Sequence, residues 1–257
     1  MSGIHLRDEP ERRAGWEQVA RGHVGRGQDV SSRQNRQVPP AAPLALLHTS
    51  PVHVPVFDGL RDVGHPELEL RHHVAEELLT RARQEGPDAV ALDVRDALVR
   101  AAGDGAGAVL CTCSTIGAVA EAVGQDMAVP VIRVDRPMAA RAVAAGPRIV
   151  VLAAVASTLG PTTVLVEEEA RRAGRTVSVR AELVDGVWEL FEAGDSDAYA
   201  RGVARAVRAV RDADAIVLAQ ASMAGAEEFV AEVRIPVLSS PRPGLAAAAA
   251  LVADGVS

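Results

Sequence analysis

The sequence predicts an α/β protein of two similar lobes, each a parallel sheet flanked by helices, with a ligand cleft between them. From Leu44 onward, short apolar runs alternate with longer amphipathic segments, which is the pattern of parallel strands joined by crossover helices. The 257 residues are 48% hydrophobic, enough to bury two such cores. One segment also recurs in the second half of the chain, and this internal repeat predicts that both halves share one fold.

Composition divides the chain into three regions. Residues 1–42 are rich in Arg, Gly, Gln and Pro and lack apolar periodicity, which predicts a disordered N-terminal arm. Residues 43–146 are predicted to form the first α/β lobe, and residues 147–257 the second.

In the first lobe, the apolar runs predict three strands, and two helices lie between or after them. The strands are predicted at residues 44–47, 109–111 and 129–132. A helix is predicted over residues 66–86, with Leu70, Val74 and Leu78 on its buried face and Gly86 at its end. A second helix is predicted to begin near Ile116, directly after a strand.

The second lobe shows the same alternation. Strands are predicted at residues 148–153, 177–179, 215–218 and 236–238. Helices are predicted over residues 161–173, from a cap at Asp195 or Ser196, and from Pro243 to the end of the chain.

The repeat locates the predicted site. Residues 108–117 match residues 216–225 at an offset of 108, which pairs Ser114 with Ser222, and residues 130–132 match residues 236–238 at an offset of 106. Ligands of open parallel sheets bind beyond the carboxyl ends of the strands. We therefore expect the chemistry where equivalent strand ends of the two lobes face each other.

Composition excludes several function classes. The net charge is −7 and every basic residue is Arg, so we expect no nucleic-acid partner. No apolar run reaches the roughly 18 residues of a membrane helix and no signal-peptide core is present, so we expect no membrane association and a cytoplasmic protein. The two Cys, at positions 111 and 113, predict neither a disulfide framework nor a metal site, since all seven His lie in the first third of the chain.

Cys113 is the predicted catalytic residue. It lies where a strand ends and a helix begins, and the free amides and dipole of a helix start stabilise a thiolate. A thiol of ordinary pKa near ~8.5 then becomes a usable general base. Cys111 lies inside the strand, where burial is the ordinary expectation.

Hydroxyl side chains are predicted to bind a substrate carboxylate. They fall at the carboxyl ends of strands, where hydroxyls and free amides solvate an anion. The stronger candidates are Ser114, Thr115 and Ser222, and the weaker ones are Thr49, Ser157 and Thr158. The alternative is that each of these residues only caps a helix.

Residues 110–115 with Gly117 resemble the first cysteine motif of the aspartate/glutamate racemase superfamily, with Cys113 at the cysteine. Residues 217–224 resemble its second cysteine motif, and the resemblance covers residues 44–257. It implies two facing lobes that each supply a cysteine, a small carboxylate substrate, and α-proton transfer without metal, pyridoxal phosphate or ATP. It also allows a homodimer.

The second motif lacks a thiol. Aligned from the strand, the second cysteine falls on Gln220, which makes Gln220 a candidate substrate contact; aligned through the repeat, it falls on Ala221. Two-base racemisation needs an acid and a base on opposite faces of the substrate, and neither side chain supplies one.

Four hypotheses follow. The first is an isomerase in which His48, His72 or His73 replaces the lost thiol. The second is a single-thiol lyase of the arylmalonate decarboxylase type, and the third a covalent Cys113 adduct as in maleate isomerase. The fourth is a carboxylate-binding protein that has lost catalysis. We expect the cofactor-independent isomerase first and the lyase second.

Overall fold

The computed structural model describes residues 42–103 and 105–255. The arm predicted over residues 1–42 lies outside the described residues, apart from its last position. Two four-stranded parallel sheets form the framework, with strand orders β2-β1-β3-β4 and β6-β5-β7-β8. The predicted α/β fold class is confirmed, and we call the sheet of β1–β4 with its helices the first lobe and that of β5–β8 the second.

The strands of the first sheet are Leu44–His48, Leu70–Val74, Ala108–Cys111 and Val131–Arg133 (β1–β4). Those of the second sheet are Arg148–Ala153, Ser178–Leu183, Ala215–Leu218 and Val237–Leu238 (β5–β8). The central strands β1, β3 and β7 are buried along their whole length, because helices cover both faces of each sheet.

The helices of the first half are His53–Gly64, Glu76–Glu85, Ala91–Gly103, Ser114–Gly124 and Arg136–Ala145 (α1–α5). Those of the second half are Ala156–Arg172, Trp188–Glu192, Ser196–Ala209 and Pro241–Asp254 (α6–α9). Two 3₁₀ helices, Pro87–Val90 and Ala221–Phe229, complete the described elements. At α8 the predicted cap is present, since the Asp195 carboxylate accepts a hydrogen bond from the Ala198 N–H.

The predicted helix over residues 66–86 is wrong. Its first part is strand β2, which pairs in parallel with β1, and only α2 from Glu76 onward is helical. Leu70 and Val74 are four residues apart, a spacing that places two side chains on one side of a helix and also on one face of a strand. The apolar stripe therefore could not separate the two structures.

Other boundaries move by a few residues. Helix α6 begins at Ala156, five residues before its predicted start at position 161, and α9 begins at Pro241 where Pro243 was predicted. Helices α1, α3, α5 and α7 were not predicted. In the described part of the chain, no helix combines the length and apolar character needed to cross a bilayer.

Candidate active site

A cleft of about 230 Å³ opens at the carboxyl ends of the strands and takes side chains from both lobes. The strand ends of the first lobe contribute Thr49, Ser50, Thr112, Cys113, Ser114 and Thr115. Helices α1 and α2 add His53, Glu76, Leu79, Thr80 and Arg83. The second lobe contributes Thr158, Trp188, Phe191, Gln220, Ala221 and Ser222.

All but one of the predicted site residues line this cleft. The exception is Ser157, which is exposed and not part of the lining, whereas Thr158 is buried against the cleft. Because α6 begins at Ala156, these two residues already lie on a helix, and successive helical side chains point in different directions. We therefore leave Ser157 out of the site.

Cys113 is the residue that precedes α4. Its backbone is extended, with φ −105° and ψ 117°, and its half-buried, free thiol lies at the cleft beside the first N–H groups of the helix. Cys111 is fully buried, and this burial raises the pKa of its thiol. Cys113 is thus the thiol that the described cleft presents to a ligand.

The sheet register identifies the counterpart of Cys113 in the second lobe. Val109 pairs with Val131 on β4, and Ile216 pairs with Val237 on β8. The Thr112 N–H donates to the β1 residue Leu47, as the Ala219 N–H donates to Leu152 on β5. The strands are therefore equivalent at an offset of 107, so the predicted offset of 108 is wrong by one residue.

This register resolves the two alignments of the second motif. Cys113 and Gln220 occupy equivalent positions, each extended and each directly before a helix. Ala221 corresponds instead to Ser114, and Ser222 to Thr115. A glutamine amide thus stands where a second thiol would stand.

The Gln220 side chain is held in one orientation. Its Oε1 accepts hydrogen bonds from the Ala154 N–H at 2.7 Å and the Val155 N–H at 3.1 Å, both at the end of β5. Only the oxygen of the amide can accept from two donors, so the assignment of Oε1 and Nε2 is fixed by the network.

The predicted replacement bases lie behind the cleft wall. His48 is fully buried; its Nδ1 lies 2.8 Å from the Thr112 Oγ1, and its Nε2 lies 2.8 Å from the His72 Nδ1. The His72 Nε2 lies 3.3 Å from the Asp58 carboxylate. Burial and the neighbouring imidazoles lower the pKa of His48 to about 3. Neither His48, His72 nor His73 lines the cleft.

His53 is the histidine that does line the cleft, and it was not among the predicted site residues. It is the first residue of α1, a helix that was not predicted. Burial lowers its pKa to about 4, so its imidazole is neutral at pH 7. Its position five residues after the first strand was the available signal.

Two of the predicted hydroxyls already have protein partners. The Ser114 hydroxyl donates to the Ala219 carbonyl at 3.0 Å, which joins the two lobes beside Cys113. The Ser222 hydroxyl is 3.0 Å from the phenol oxygen of Tyr199, whose pKa is raised to about 12 by burial. Both hydroxyls therefore support the cleft wall.

A charged and aromatic rim was also missed. The Arg83 guanidinium lies 5.5 Å from the centre of the Trp188 ring, a cation–π contact that spans the two lobes. Glu76 and Phe191 lie on the same cleft. These residues come from α2 and α7, which meet only in the folded chain, so no local motif identifies them.

A buried ion pair supports the start of α4. Arg133 and Asp135 are 2% and 0% exposed, and the Arg133 Nε donates to the Asp135 carboxylate at 2.6 Å. Arg133 also donates to the Ser114 carbonyl at 3.4 Å, so the first residue of α4 is tied to the end of β4. Among the described residues, no group of three or more His, Cys, Asp or Glu is placed to hold a metal ion.

Comparison with known families agrees with this geometry. The family model described as Asp/Glu/Hydantoin racemase matches residues 53–251, most of the chain. This chain belongs to the Asp/Glu/hydantoin racemase family. No curated protein matches it.

Solved structures show the racemase fold at low identity. Glutamate racemase from Bacillus anthracis aligns with a TM-score of 0.64 and 15% identity, over 84% of this chain and 83% of that one. Allantoin racemase from Pseudomonas fluorescens aligns with a TM-score of 0.56 and 23% identity, over 83% and 92%. An arylmalonate decarboxylase variant, in which one glycine is replaced by cysteine, aligns with a TM-score of 0.57 and 20% identity, over 82% and 93%.

Proposed function

We propose that this racemase-family protein transfers a proton at the α-carbon of a small carboxylic acid through the Cys113 thiol, and from one face only. The observation that carries the proposal is the pair of equivalent positions at the cleft. One holds a free thiol at a helix start, and the other holds an amide that can neither give up nor take a proton at neutral pH.

The first lobe offers a carboxylate-binding wall next to the thiol. The N–H groups at the start of α4 have no partner inside the helix, and an anion is favoured at such a terminus. Thr115 and Thr49 line the same wall, and Arg83 adds a positive charge at the rim. A small acid bound here has its α-carbon close to the residue that precedes α4, which is Cys113.

Two reactions use this arrangement, and the geometry favours the lyase. In decarboxylation, the carbon–carbon bond to a second carboxylate breaks and carbon dioxide leaves. The electron pair moves into the remaining carboxylate to form an enediolate, and the Cys113 thiol gives its proton to the α-carbon. Water then returns a proton to the thiolate. One thiol on one face delivers the proton to that face, so the product forms as one enantiomer.

The second candidate is an isomerase with two different bases, which membership of a racemase family favours. A neutral group on another side of the substrate removes the α-proton, and the Cys113 thiol returns one to the opposite face, after which both groups exchange protons with water. His53 is the candidate for that group, because it lines the cleft and its lowered pKa leaves it neutral and able to accept a proton at pH 7. Its replacement by Gln would then abolish racemisation and leave exchange through Cys113 intact.

The proposal is tested by incorporation of solvent deuterium at the α-carbon of a panel of small acids, including malonates, dicarboxylates and acidic amino acids. Loss of a general acid or base costs about 10²–10⁴-fold in rate, so Cys113→Ala is expected to lose at least 10²-fold in exchange. Cys111→Ala is the matched control, because it removes the buried thiol two residues away and is expected to keep exchange.

Three outcomes are informative. Exchange that needs Cys113 and not Cys111 supports the proposal. Exchange that survives in Cys113→Ala removes this thiol from the mechanism. Ligand-induced thermal stabilisation without any exchange identifies a binding protein that has lost catalysis, and this contradicts the proposal.

A further inference from the structure

We infer that the Gln220 amide is a preset hydrogen-bond donor for a second substrate oxygen, so that the site selects acids whose α-carbon carries a second carboxylate or carbonyl group over α-amino acids. The inference rests on the proposed function for the position of the substrate beside Cys113. It adds a specificity-determining residue and the class of substrate.

The Gln220 amide has a fixed orientation. Two backbone N–H groups, of Ala154 and Val155, point at the Oε1 of Gln220 and hold it at the end of β5. A primary amide carries its two N–H bonds on the other terminal atom. Among the described residues, none accepts a hydrogen bond from the Gln220 Nε2.

These N–H groups belong to a side chain of the cleft wall. Gln220 is partly exposed and lines the cleft, in the position equivalent to Cys113. The side chains of the two lobes therefore present a thiol and an amide donor to one small cavity. A donor that is already oriented loses little conformational freedom when it binds an oxygen.

The second-lobe wall of the cleft carries no negative charge among its described residues. The described residues that this lobe contributes to the cleft include no carboxylate. An α-ammonium group placed against Gln220 would face an N–H donor without a negative charge to compensate it. Glu76, the carboxylate among the described lining residues, belongs to α2 of the first lobe. At Gln220 this wall therefore fits an oxygen acceptor better than an ammonium group.

The two walls together define the substrate. One acceptor group of the acid binds the helix-start amides beside Cys113, and the other binds the Gln220 amide. When a proton or a carboxylate leaves the α-carbon, negative charge spreads over these oxygens, and fixed N–H donors stabilise such charge.

The test is a comparison of the binding of malonate and L-aspartate by calorimetry, in a Cys113→Ala background that prevents turnover. We expect malonate to bind more tightly than L-aspartate. Gln220→Glu retains an oxygen for the Ala154 and Val155 N–H groups and replaces the N–H₂ by a second, negatively charged acceptor. This variant is expected to bind malonate at least tenfold less tightly and to shift the ratio of the two affinities towards aspartate.

Gln125→Glu is the matched control, because it adds the same charge at an exposed position after the far end of α4 and is expected to leave the ratio unchanged. Gln220→Met keeps the length of the side chain without the donor or the charge. It is expected to weaken malonate binding more than aspartate binding. It takes the place of the Glu variant in the test if that variant does not fold.

The inference is overturned if Gln220→Glu leaves the ratio of malonate affinity to aspartate affinity unchanged, for example because both ligands bind equally less tightly. It is also overturned if the Cys113→Ala protein that keeps Gln220 does not bind malonate. These outcomes are separate from failure of the proposed function, which shows itself as exchange that persists in Cys113→Ala.

Discussion

At the residue scale, two thiols in one short segment have opposite environments. Cys111 is the last residue of β3 and is fully buried, whereas Cys113 lies beyond the strand at the cleft. Alternation along the strand does not separate them, because residues two apart share a face. What separates them is the end of the strand, which the sequence located correctly because Thr112, Ser114 and Thr115 are polar.

The histidines near the cleft show a second effect of burial. His48 and His53 have pKa values lowered from 6.5 to about 3 and about 4, in both cases mainly because the charged imidazole would lose its hydration. Both residues are therefore neutral in the folded protein at pH 7. The unfolded chain protonates them near pH 6.5.

This difference predicts a loss of stability between pH 6.5 and 5. In this window the unfolded chain binds more protons than the folded one, so the free energy of unfolding falls as the pH falls. Each histidine contributes a slope of up to about 1.4 kcal/mol per pH unit, and no further gain is expected from them above pH 7.

Urea unfolding at pH 7, 6 and 5 measures the slope. His53→Gln should reduce it and leave the contribution of His48. A free energy of unfolding that does not change between pH 6.5 and 5 would show that these imidazoles are not buried in neutral form.

At the scale of elements, the start of α4 depends on close packing against β4. Gly117 lies in α4, and a Cβ at this position would come within 2.9 Å of the Arg133 Nε. Arg133 cannot move away easily, because it is paired with Asp135 in the interior. The glycine thus permits an approach between helix and strand that also places Cys113 at the cleft.

Gly117→Ala is therefore expected to destabilise the protein by about 1–3 kcal/mol, the usual cost of overpacking. Gly59→Ala is the matched control in α1, where a Cβ would meet no atom within 4 Å. It is expected to stabilise the protein by up to about 1 kcal/mol, since Ala is the better helix former. Chemical denaturation measures both variants, and equal effects would contradict the packing argument.

At the scale of the molecule, the sequence predicts that two similar lobes repeat. It does not predict which residue of one lobe is equivalent to which residue of the other. The buried strands and the strand-end hydroxyls follow from local patterns. The offset of 107 follows from which residues pair across β3–β4 and β7–β8. Over residues 108–117 the letters match better one position away, with four identities at an offset of 108 and one at 107.

The rest of the site depends on contacts between lobes. The Ser114 hydroxyl bonds to Ala219, and Arg83 lies over Trp188, across sequence separations of about a hundred residues. No local pattern predicts such pairs. The edge strand β2 was not predicted as a strand, because it is only half buried and the spacing of its apolar residues also fits a helix.

The positional equivalence of Cys113 and Gln220 is the basis of the proposed one-face chemistry, and it has one direct test. Gln220→Cys places a thiol in the second lobe, opposite Cys113. The measurement is the enantiomeric composition of the α-deuterated product formed in D₂O by the parent protein and by this variant, for an acid on which the parent shows exchange. We predict one enantiomer from the parent and both from the variant, whatever the change in overall rate. Both enantiomers from the parent, or a single enantiomer from the variant, would contradict the account.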